Sequence, residues 1–486
     1  MEPHPVQKQG CPSKWSICSV SRPLSRYSGW IPLIVFSGIA LLIFLWSSPH
    51  PMLARLERYF GFAAHNTTWR IEVLAGLTTF VTMAYIIFVN PAILSATGMP
   101  LAAVTTSTCL CAAIGSILMG ALANYPLALA PGMGLNAYFT YTVVKGMGIP
   151  WQTALGAVFL SGVLFLLLTL GGIRQQLLAA IPYQLHAAVA GGIGLFIAFI
   201  GLLNSGLIVP SASTTLALGN LHAHTTQLAV VGVLLIAVLQ AYRIKASMLI
   251  GVLATLTLGI LFHQVKYAPS SFNPMAIRDT AFHLDIRGAL HLNALEIIFA
   301  FLFIDLFDNI GTLVAVTDRA GLIAPDHTIP RLGRIFFADA TSTIVGSLAG
   351  TSTVTSYIES STGVAAGGRT GVTAIVTGML FFLAIFVAPA VGAIPDFATA
   401  PALILVGAMM LSGIGTIEWN QPRIAIPSFL TILTIPLTSS IATGLSFGLI
   451  SYAALELATG RARRQHWMLY LLAALFLLRF FYVAHT

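Results

Sequence analysis

Charged residues are scarce in this sequence. Asp, Glu, Lys and Arg make up 8% of its 486 residues, whereas 57% of the residues are hydrophobic and the mean hydropathy is +0.89. Because such a small number of charged residues cannot cover the surface of a soluble domain, the composition predicts an all-α polytopic membrane protein. The formal net charge of +8 requires no nucleic acid as a partner, because the cytoplasmic loops of such proteins are rich in Lys and Arg.

Cysteine and the motifs of metal-dependent or hydrolytic enzymes are also lacking. Of the four cysteines, two lie in the N-terminal tail and two in an apolar helix, and no pair has metal-ligand spacing with histidines nearby. The sequence contains no HExxH motif and no obvious nucleophile–base pair. We therefore expect no metal, no other cofactor and no enzyme activity.

The sequence does contain a series of hydrophobic runs of about twenty residues each, the length that a hydrocarbon core of roughly 30 Å requires. From Glu72 onward these runs predict fourteen transmembrane helices. Of the predicted external connections, one holds Lys145, 264–292 has mixed charges, and 204–225 and 392–400 contain no Lys or Arg. The cytoplasmic connections are basic, as the positive-inside rule predicts. The basic residues of the predicted cytoplasmic connections include Arg70, Arg174, Arg243, Lys245, Arg319, Arg334, Arg369, Arg423, Arg461 and Arg464.

The two ends of the chain lie outside this pattern. The apolar run 30–46 is barely long enough to span, and if it crossed outward the arginines that follow it would lie outside, against the positive-inside rule. We therefore predict that residues 1–51 are an N-terminal extension that the functional protein does not need. From Met52 the chain has the pattern of an amphipathic segment on the cytoplasmic surface. The segment 465–486 forms either a fifteenth span or a helix lying against the bundle.

Predicted helix eight, Ile297–Val316, carries two acids despite its apolar character. Asp305 and Asp308 are three residues apart, which places both carboxylates on one helix face. An ionised carboxylate in hydrocarbon costs roughly 2.5–3.5 kcal/mol even on the lenient insertion scale. This face is therefore predicted to border a polar cavity. The alternative is a structural role, in which the acids bond to neighbouring helices.

Two segments interrupted by Gly or Pro occupy matching places in the two halves of the chain. The first covers about 127–141 and the second 346–368, and each is third in its set of seven helices. An odd number of helices in each set gives the two sets opposite orientations. Matched interruptions of this kind indicate the binding site of a transporter, because backbone that leaves the helix must face a cavity or a ligand. Close helix packing is the alternative role for each glycine-rich run.

Residues with hydrogen-bonding side chains lie within these interruptions. Asn136 lies in the first and Glu359 in the second, and Gly132 and Gly134 allow close approach of the backbone. Together with the acids of helix eight they predict a slot for a flat, uncharged ring with hydrogen-bonding edges. The aromatic residues nearby in the sequence are Tyr138, Phe139, Phe303, Phe307 and Tyr357.

Four stretches of the chain resemble the signature sequences of the AzgA-like purine permeases. This family belongs to the nucleobase–cation symporter superfamily, which also includes uracil and xanthine permeases. The resemblance extends over about 52–464. The four stretches are LAGLTTFVTMAYIIFVNPAIL, ALAPGMGLNAYF, FIDLFDNIGTLVAVTDRAG and GTSTVTSYIESSTGVAAGGRTG.

The resemblance implies fourteen helices in two inverted repeats of seven. It further implies a core domain, with helices at about 73–170 and 293–391, and a gate domain, with helices at about 183–263 and 400–460. The two broken helices would meet at mid-membrane. The expected protein is a homodimer in the cytoplasmic membrane that couples uptake of adenine, guanine or hypoxanthine to protons.

The resemblance also assigns roles to individual residues. Substrate-contacting positions of the family correspond to Asn136, Asp305 and Glu359, and positions important for activity correspond to Gly134 and Asp308. Either Asp305 or Glu359, or both together, would carry the coupling proton, since burial disfavours a charged carboxylate.

Other transport functions are the main alternatives. A uracil or xanthine transporter of the same fold is compatible with these residues. An anion transporter is disfavoured because the three acids would repel its ligand, and a channel would require a continuous polar lining.

Overall fold

The computed structural model describes residues 51–172, 182–265, 273–324, 328–391, 394–460 and 467–483. Almost all of the predicted N-terminal extension therefore lies outside the described residues. In the described part the chain is mostly helical. Its main helices are α1 (Pro51–Phe60), α2 (Trp69–Met83), α3 (Ile86–Ser95), α4 (Leu101–Leu118), α5 (Met133–Ala137), α6 (Trp151–Leu170), α7 (Tyr183–Asn204), α8 (His224–Ala241), α9 (Ser247–Leu261), α10 (Ile286–Ala289), α11 (Leu292–Ala320), α12 (Leu332–Ala349), α13 (Ser360–Ala365), α14 (Gly371–Val391), α15 (Asp396–Met410), α16 (Pro422–Thr438), α17 (Ile441–Ala458) and α18 (Trp467–Val483).

Nine helical segments within the described ranges are long and apolar enough to cross a membrane, and three shorter apolar helices accompany them. The chain is therefore a multi-pass helical membrane protein, and this part of the sequence-based prediction is confirmed. Two π-helical segments, Met119–Ala123 and Tyr138–Gly146, extend α4 and α5. The observed helix ends differ from the predicted ones by a few residues in most cases. The first predicted span is divided at Ala84 and Tyr85 into α2 and α3.

Local sequence explains where several helices begin and end. The hydroxyl of Thr68 accepts a hydrogen bond from the Ile71 N–H at 3.4 Å and so caps α2. Pro100 and Pro150 directly precede α4 and α6. A backbone N–H at this position has no partner within the helix, so proline, which lacks the N–H, costs no helical hydrogen bond. Gly321 ends α11 in a left-handed conformation with a φ of 66°, which glycine adopts without steric cost.

The helices pack in two groups. In the first, α2 and α4 pack on α14, and α6 packs on α11 and α12. In the second, α7 packs on α15 and α16, α16 on α17, and α8 on α9 and α15.

Glycine pairs allow close approaches within each group. A Cβ at Gly194 of α7 would lie 2.7 Å from the carbonyl oxygen of Gly407 in α15, and a Cβ at Gly407 would lie 2.3 Å from the carbonyl oxygen of Gly194. A Cβ at Gly120 would similarly lie 2.3 Å from the carbonyl oxygen of Gly371, at the start of α14. Any larger residue would force these backbones apart, as in other close helix contacts in membranes.

A buried carboxylate connects the start of α2 to the start of α14. Glu72 accepts hydrogen bonds from the Thr67 hydroxyl at 2.9 Å, from the Arg369 N–H at 3.0 Å and from the Thr373 hydroxyl at 2.5 Å. These donors compensate for the loss of water around the buried acid. Glu72 therefore stabilises the packing of α2 on α14.

The C-terminal helix α18 packs against the bundle along one face. Leu469, Leu472 and Phe476 are buried on that face. The Phe476 ring lies 5.5 Å from that of Phe303 in α11, and the Phe480 ring lies 5.4 Å from that of Phe447 in α17. The helix thus contacts elements from both packing groups.

Candidate functional site

The two interrupted segments meet through their backbones. Residues Leu129–Pro131 form strand β1, which pairs antiparallel with a strand of the second interruption, Val354–Ser356. Strands are numbered in chain order, so Val354–Ser356 is β4. Strands β2 (Ile208–Ser211) and β3 (Thr215–Leu218) come between β1 and β4 in the sequence and pair with each other. The Gly132 N–H donates to the Thr353 carbonyl at 2.9 Å and extends the pairing. The strands thus satisfy backbone groups that would otherwise be costly within a membrane.

Asn136 and Gly134 lie on α5, immediately after β1. Asn136 is fully buried, and its Nδ2 donates to the Pro131 carbonyl at a long 3.4 Å. Its Oδ1 has no hydrogen-bond partner among the described residues. A Cβ at Gly134 would lie 2.4 Å from Ile193 Cγ2 of α7, so glycine allows α5 to pack against the second helix group.

Glu359 follows β4 and is buried at the start of α13. The hydroxyl of Tyr85, at the division between α2 and α3, donates to Glu359 Oε1 at 2.7 Å. The hydroxyl of Tyr357 donates to the Pro131 carbonyl at 2.5 Å. The second interruption is therefore fixed both to the first predicted span and to the first interruption.

Helix α11 carries the other two predicted acids and contacts α5, β4 and α13. Asp305 is buried, whereas Asp308 is partly exposed. A Cβ at Gly132 would lie 3.7 Å from Asp308 Oδ2 and only 2.7 Å from Thr355 Cγ2, so the glycine backbone lies close to this acid. Asn309, the next residue, accepts a hydrogen bond through Oδ1 from the Ser356 hydroxyl at 2.6 Å.

A fourth acid lies near this group. Asp339 on α12 is completely buried, and its carboxyl and that of Glu359 both lie close enough to interact electrostatically with Asp308. Sequence reasoning missed Asp339, although an acid in an apolar helix was a usable signal. It also missed Tyr85, because a single aromatic residue in an apolar helix is usually a packing residue.

Several buried polar atoms around the paired strands make no hydrogen bond to another described residue. Buried polar atoms normally have partners, so a cluster without them indicates a place where a polar ligand can bind. This set of atoms includes both hydrogen-bond acceptors and hydrogen-bond donors. The atoms are Asn136 Oδ1, Asn309 Nδ2, Ser352 Oγ, Thr353 Oγ1 and Thr355 Oγ1.

Aromatic rings border the same region. The Phe307 ring of α11 lies 4.8 Å from the imidazole of His186 on α7, and the Tyr138 ring lies 5.2 Å from that of Phe301 in an edge-to-face arrangement. His186 was not among the predicted site residues. Within the described part of the chain, no group of three His, Cys, Asp or Glu side chains could hold a metal ion.

The sequence is similar to permeases over most of its length. The permease model for xanthine and uracil carriers, described as "Permease family", matches residues 70–447. A protein of Methanocaldococcus jannaschii is 50% identical and aligns over 88% of this chain and 99% of its own. The adenine permease AdeP of Escherichia coli is 43% identical over 88% of this chain and 96% of its own. The guanine/hypoxanthine permease PbuG of Bacillus subtilis is also 43% identical, over 88% of this chain and its full length.

The fold is similar to that of solved membrane transporters with distant sequences. The transmembrane domain of the cyanobacterial bicarbonate transporter BicA aligns with a TM-score of 0.57 at 16% identity, covering 78% of this chain and 97% of that domain. The murine anion transporter Slc26a9, in an inward-facing state, aligns with a TM-score of 0.58 at 10% identity and covers 92% of this chain and 76% of its own.

Proposed function

Because the chain belongs to the xanthine/uracil permease family, we propose that it carries purine nucleobases into the cell together with protons. The observation that supports the substrate class most strongly is the high identity to permeases of adenine and of guanine and hypoxanthine, along nearly their whole lengths. A uracil or xanthine carrier is the alternative within the family.

The proposed binding residues are Asn136, Asp305 and Glu359. A purine has donors and acceptors along its edge, which an amide and carboxyl groups can match. The unpaired Asn136 Oδ1 supports this role, since it can accept a hydrogen bond from the ring or its amino group. Gly134 and Asp308 are proposed to support the site, Gly134 through its contact with α7 and Asp308 through its position beside Gly132.

Proton coupling is proposed to use Asp305, Glu359 or both. A buried carboxylate is costly to move through a membrane when charged, and protonation removes that cost. Loading a proton and a purine together would therefore allow the site to move between the two sides.

We also propose the fourteen-helix arrangement in two inverted repeats. Antiparallel pairing of β1 with β4 supports it, because a pseudo-two-fold axis in the membrane plane relates such strands. The mutual contacts of Gly194 with Gly407 support it as well, since α7 and α15 would be equivalent helices of the two repeats. We propose that the two packing groups are the core and the gate domain, and the packing of each group's helices on one another supports this division. A homodimer is proposed from the family resemblance.

Contacts between the proposed core and gate occur at the predicted external ends of their helices. Asn204, at the end of α7, donates through Nδ2 to the Tyr141 hydroxyl at 3.3 Å. The Thr142 hydroxyl donates to the carbonyl of Ser439, which follows α16. We propose that these contacts close the external side, and that they break when the core moves to present the site outward.

Competition of labelled adenine uptake into proteoliposomes tests the substrate class. We expect unlabelled adenine, guanine or hypoxanthine to compete at low concentration, and uracil, xanthine and bicarbonate to compete weakly. Strong competition by uracil or xanthine alone would assign the chain to the alternative substrates. Uptake of bicarbonate without uptake of any nucleobase would contradict the proposed function.

A further inference from the structure

A groove of about 460 Å³ lies away from the candidate site, between the ends of α4, α6 and α12. Its walls include the exposed apolar side chains Leu122, Leu170 and Phe337. The basic residues of the neighbouring connections place these helix ends on the cytoplasmic side of the membrane. An apolar groove at this depth borders the boundary between lipid headgroups and acyl chains.

One side of the groove is cationic. Arg334 is exposed and lines the groove, and its guanidinium makes no hydrogen bond or ion pair with any other residue that the structure describes. Arg331 differs, because its guanidinium lies over the Tyr125 ring, 5.5 Å from the centroid. Arg334 is thus free to bind an anion at the mouth of the groove.

The remaining walls keep the groove open. The Tyr59 hydroxyl donates to the Ala121 carbonyl at 2.6 Å and holds the end of α1 beside α4. Gly333 lines the groove next to Arg334, and a Cβ added there would have no atom within 4 Å. The space beside Arg334 can therefore take a headgroup.

We propose that this groove binds an anionic phospholipid, with the phosphate on Arg334 and an acyl chain along Leu122, Leu170 and Phe337. Charge complementarity identifies the headgroup, since a zwitterionic lipid carries no net charge for the unpaired arginine. The apolar walls identify a lipid rather than a soluble phosphate, which would leave them unused. The inference is independent of the purine site, because none of the residues that line the groove belongs to the paired strands or to the proposed binding residues.

Lipid titration followed by native mass spectrometry tests the proposal on the full-length protein in detergent. The probes are dioleoyl-phosphatidylglycerol, dioleoyl-phosphatidylcholine and inorganic phosphate. We expect tight retention of phosphatidylglycerol by the wild type, and retention about fivefold weaker in Arg334→Gln, as expected for loss of one basic contact at a membrane surface. The matched control Arg243→Gln removes an exposed arginine from the turn between α8 and α9 and should bind as the wild type does.

A second variant tests the shape of the groove with its charge intact. Gly333→Leu places a side chain in the open space and should weaken phosphatidylglycerol retention while adenine uptake remains normal. Equal retention of phosphatidylcholine, or equal losses in Arg334→Gln and Arg243→Gln, would overturn the proposal. Displacement of the lipid by millimolar inorganic phosphate would assign the site to a soluble anion and also overturn it.

Discussion

Replacement of Glu359 with glutamine removes a proton-binding group from the candidate site with little change in shape. The Tyr85 hydroxyl donates to Glu359 Oε1 at 2.7 Å, and the amide oxygen of glutamine can accept the same bond. Glu359 is also buried, so an amide avoids the cost of a buried charge. We therefore expect Glu359→Gln to insert and fold as the wild type does.

The size of the functional effect depends on what Glu359 does. If it only binds the purine, its loss removes a hydrogen bond to a charged group, worth about 1.5–3 kcal/mol. That energy corresponds to a loss of affinity of roughly 13- to 160-fold, with coupling to protons retained. If it is the coupling acid, the variant should exchange purine across the membrane but fail to accumulate it against a gradient.

Binding affinity and proton-driven accumulation, measured on the same proteoliposomes, separate these outcomes. The matched control is Glu57→Gln on α1, where the carboxylate accepts a hydrogen bond from Trp69 Nε1 at 2.8 Å, outside the candidate site. The control should match the wild type in both measurements. If Glu359→Gln also matches the wild type in both, Glu359 does not belong to the site, and the proposed role of the second interruption is wrong.

Three further changes test other parts of the account. Asp305→Asn should abolish or uncouple purine uptake while the protein stays folded, and wild-type accumulation at several pH values would exclude Asp305 as an essential site. Gly134→Ala should impair uptake, because its Cβ would lie 2.4 Å from Ile193 Cγ2 and overpacking of this kind costs about 1–3 kcal/mol. The control Gly415→Ala should leave uptake unchanged, because no atom lies within 4 Å of the added Cβ. Equal uptake by the two variants would contradict this reasoning. A protein that starts at Met52 should insert and transport normally, and its failure to insert would show that residues 1–51 are needed.

The helices and the two interruptions could be predicted because their physical signals are local. Hydrophobic runs of spanning length identify the helices, and glycine and proline within such runs identify places where the backbone leaves the helix. The pairing of β1 with β4 agrees with the expectation that the two interruptions meet. Asp305 and Asp308 could be selected as candidate site residues from a local signal as well, since a charged residue in an apolar helix is costly.

The connections between distant parts of the chain could not be predicted. The hydrogen bond from Tyr85 to Glu359 joins residues 274 positions apart, and nothing near Tyr85 in the sequence marks its partner. Glu72 appeared only as the start of a span, although its carboxylate connects α2 to residues about 300 positions away. Asp339 carried a local signal but no indication that it lies near Asp308. Such contacts depend on how the two halves pack, which single-sequence patterns do not specify.

Accumulation of labelled purine by proteoliposomes under an imposed pH gradient tests proton-coupled purine transport most directly. With the outside acidic, we expect the internal concentration of adenine, guanine or hypoxanthine to rise above the external one and to fall back when a protonophore is added. Uptake that only equilibrates, and does so equally with and without the gradient, would contradict coupling to protons. The absence of any purine uptake by protein shown to be folded and inserted would contradict the proposed function itself.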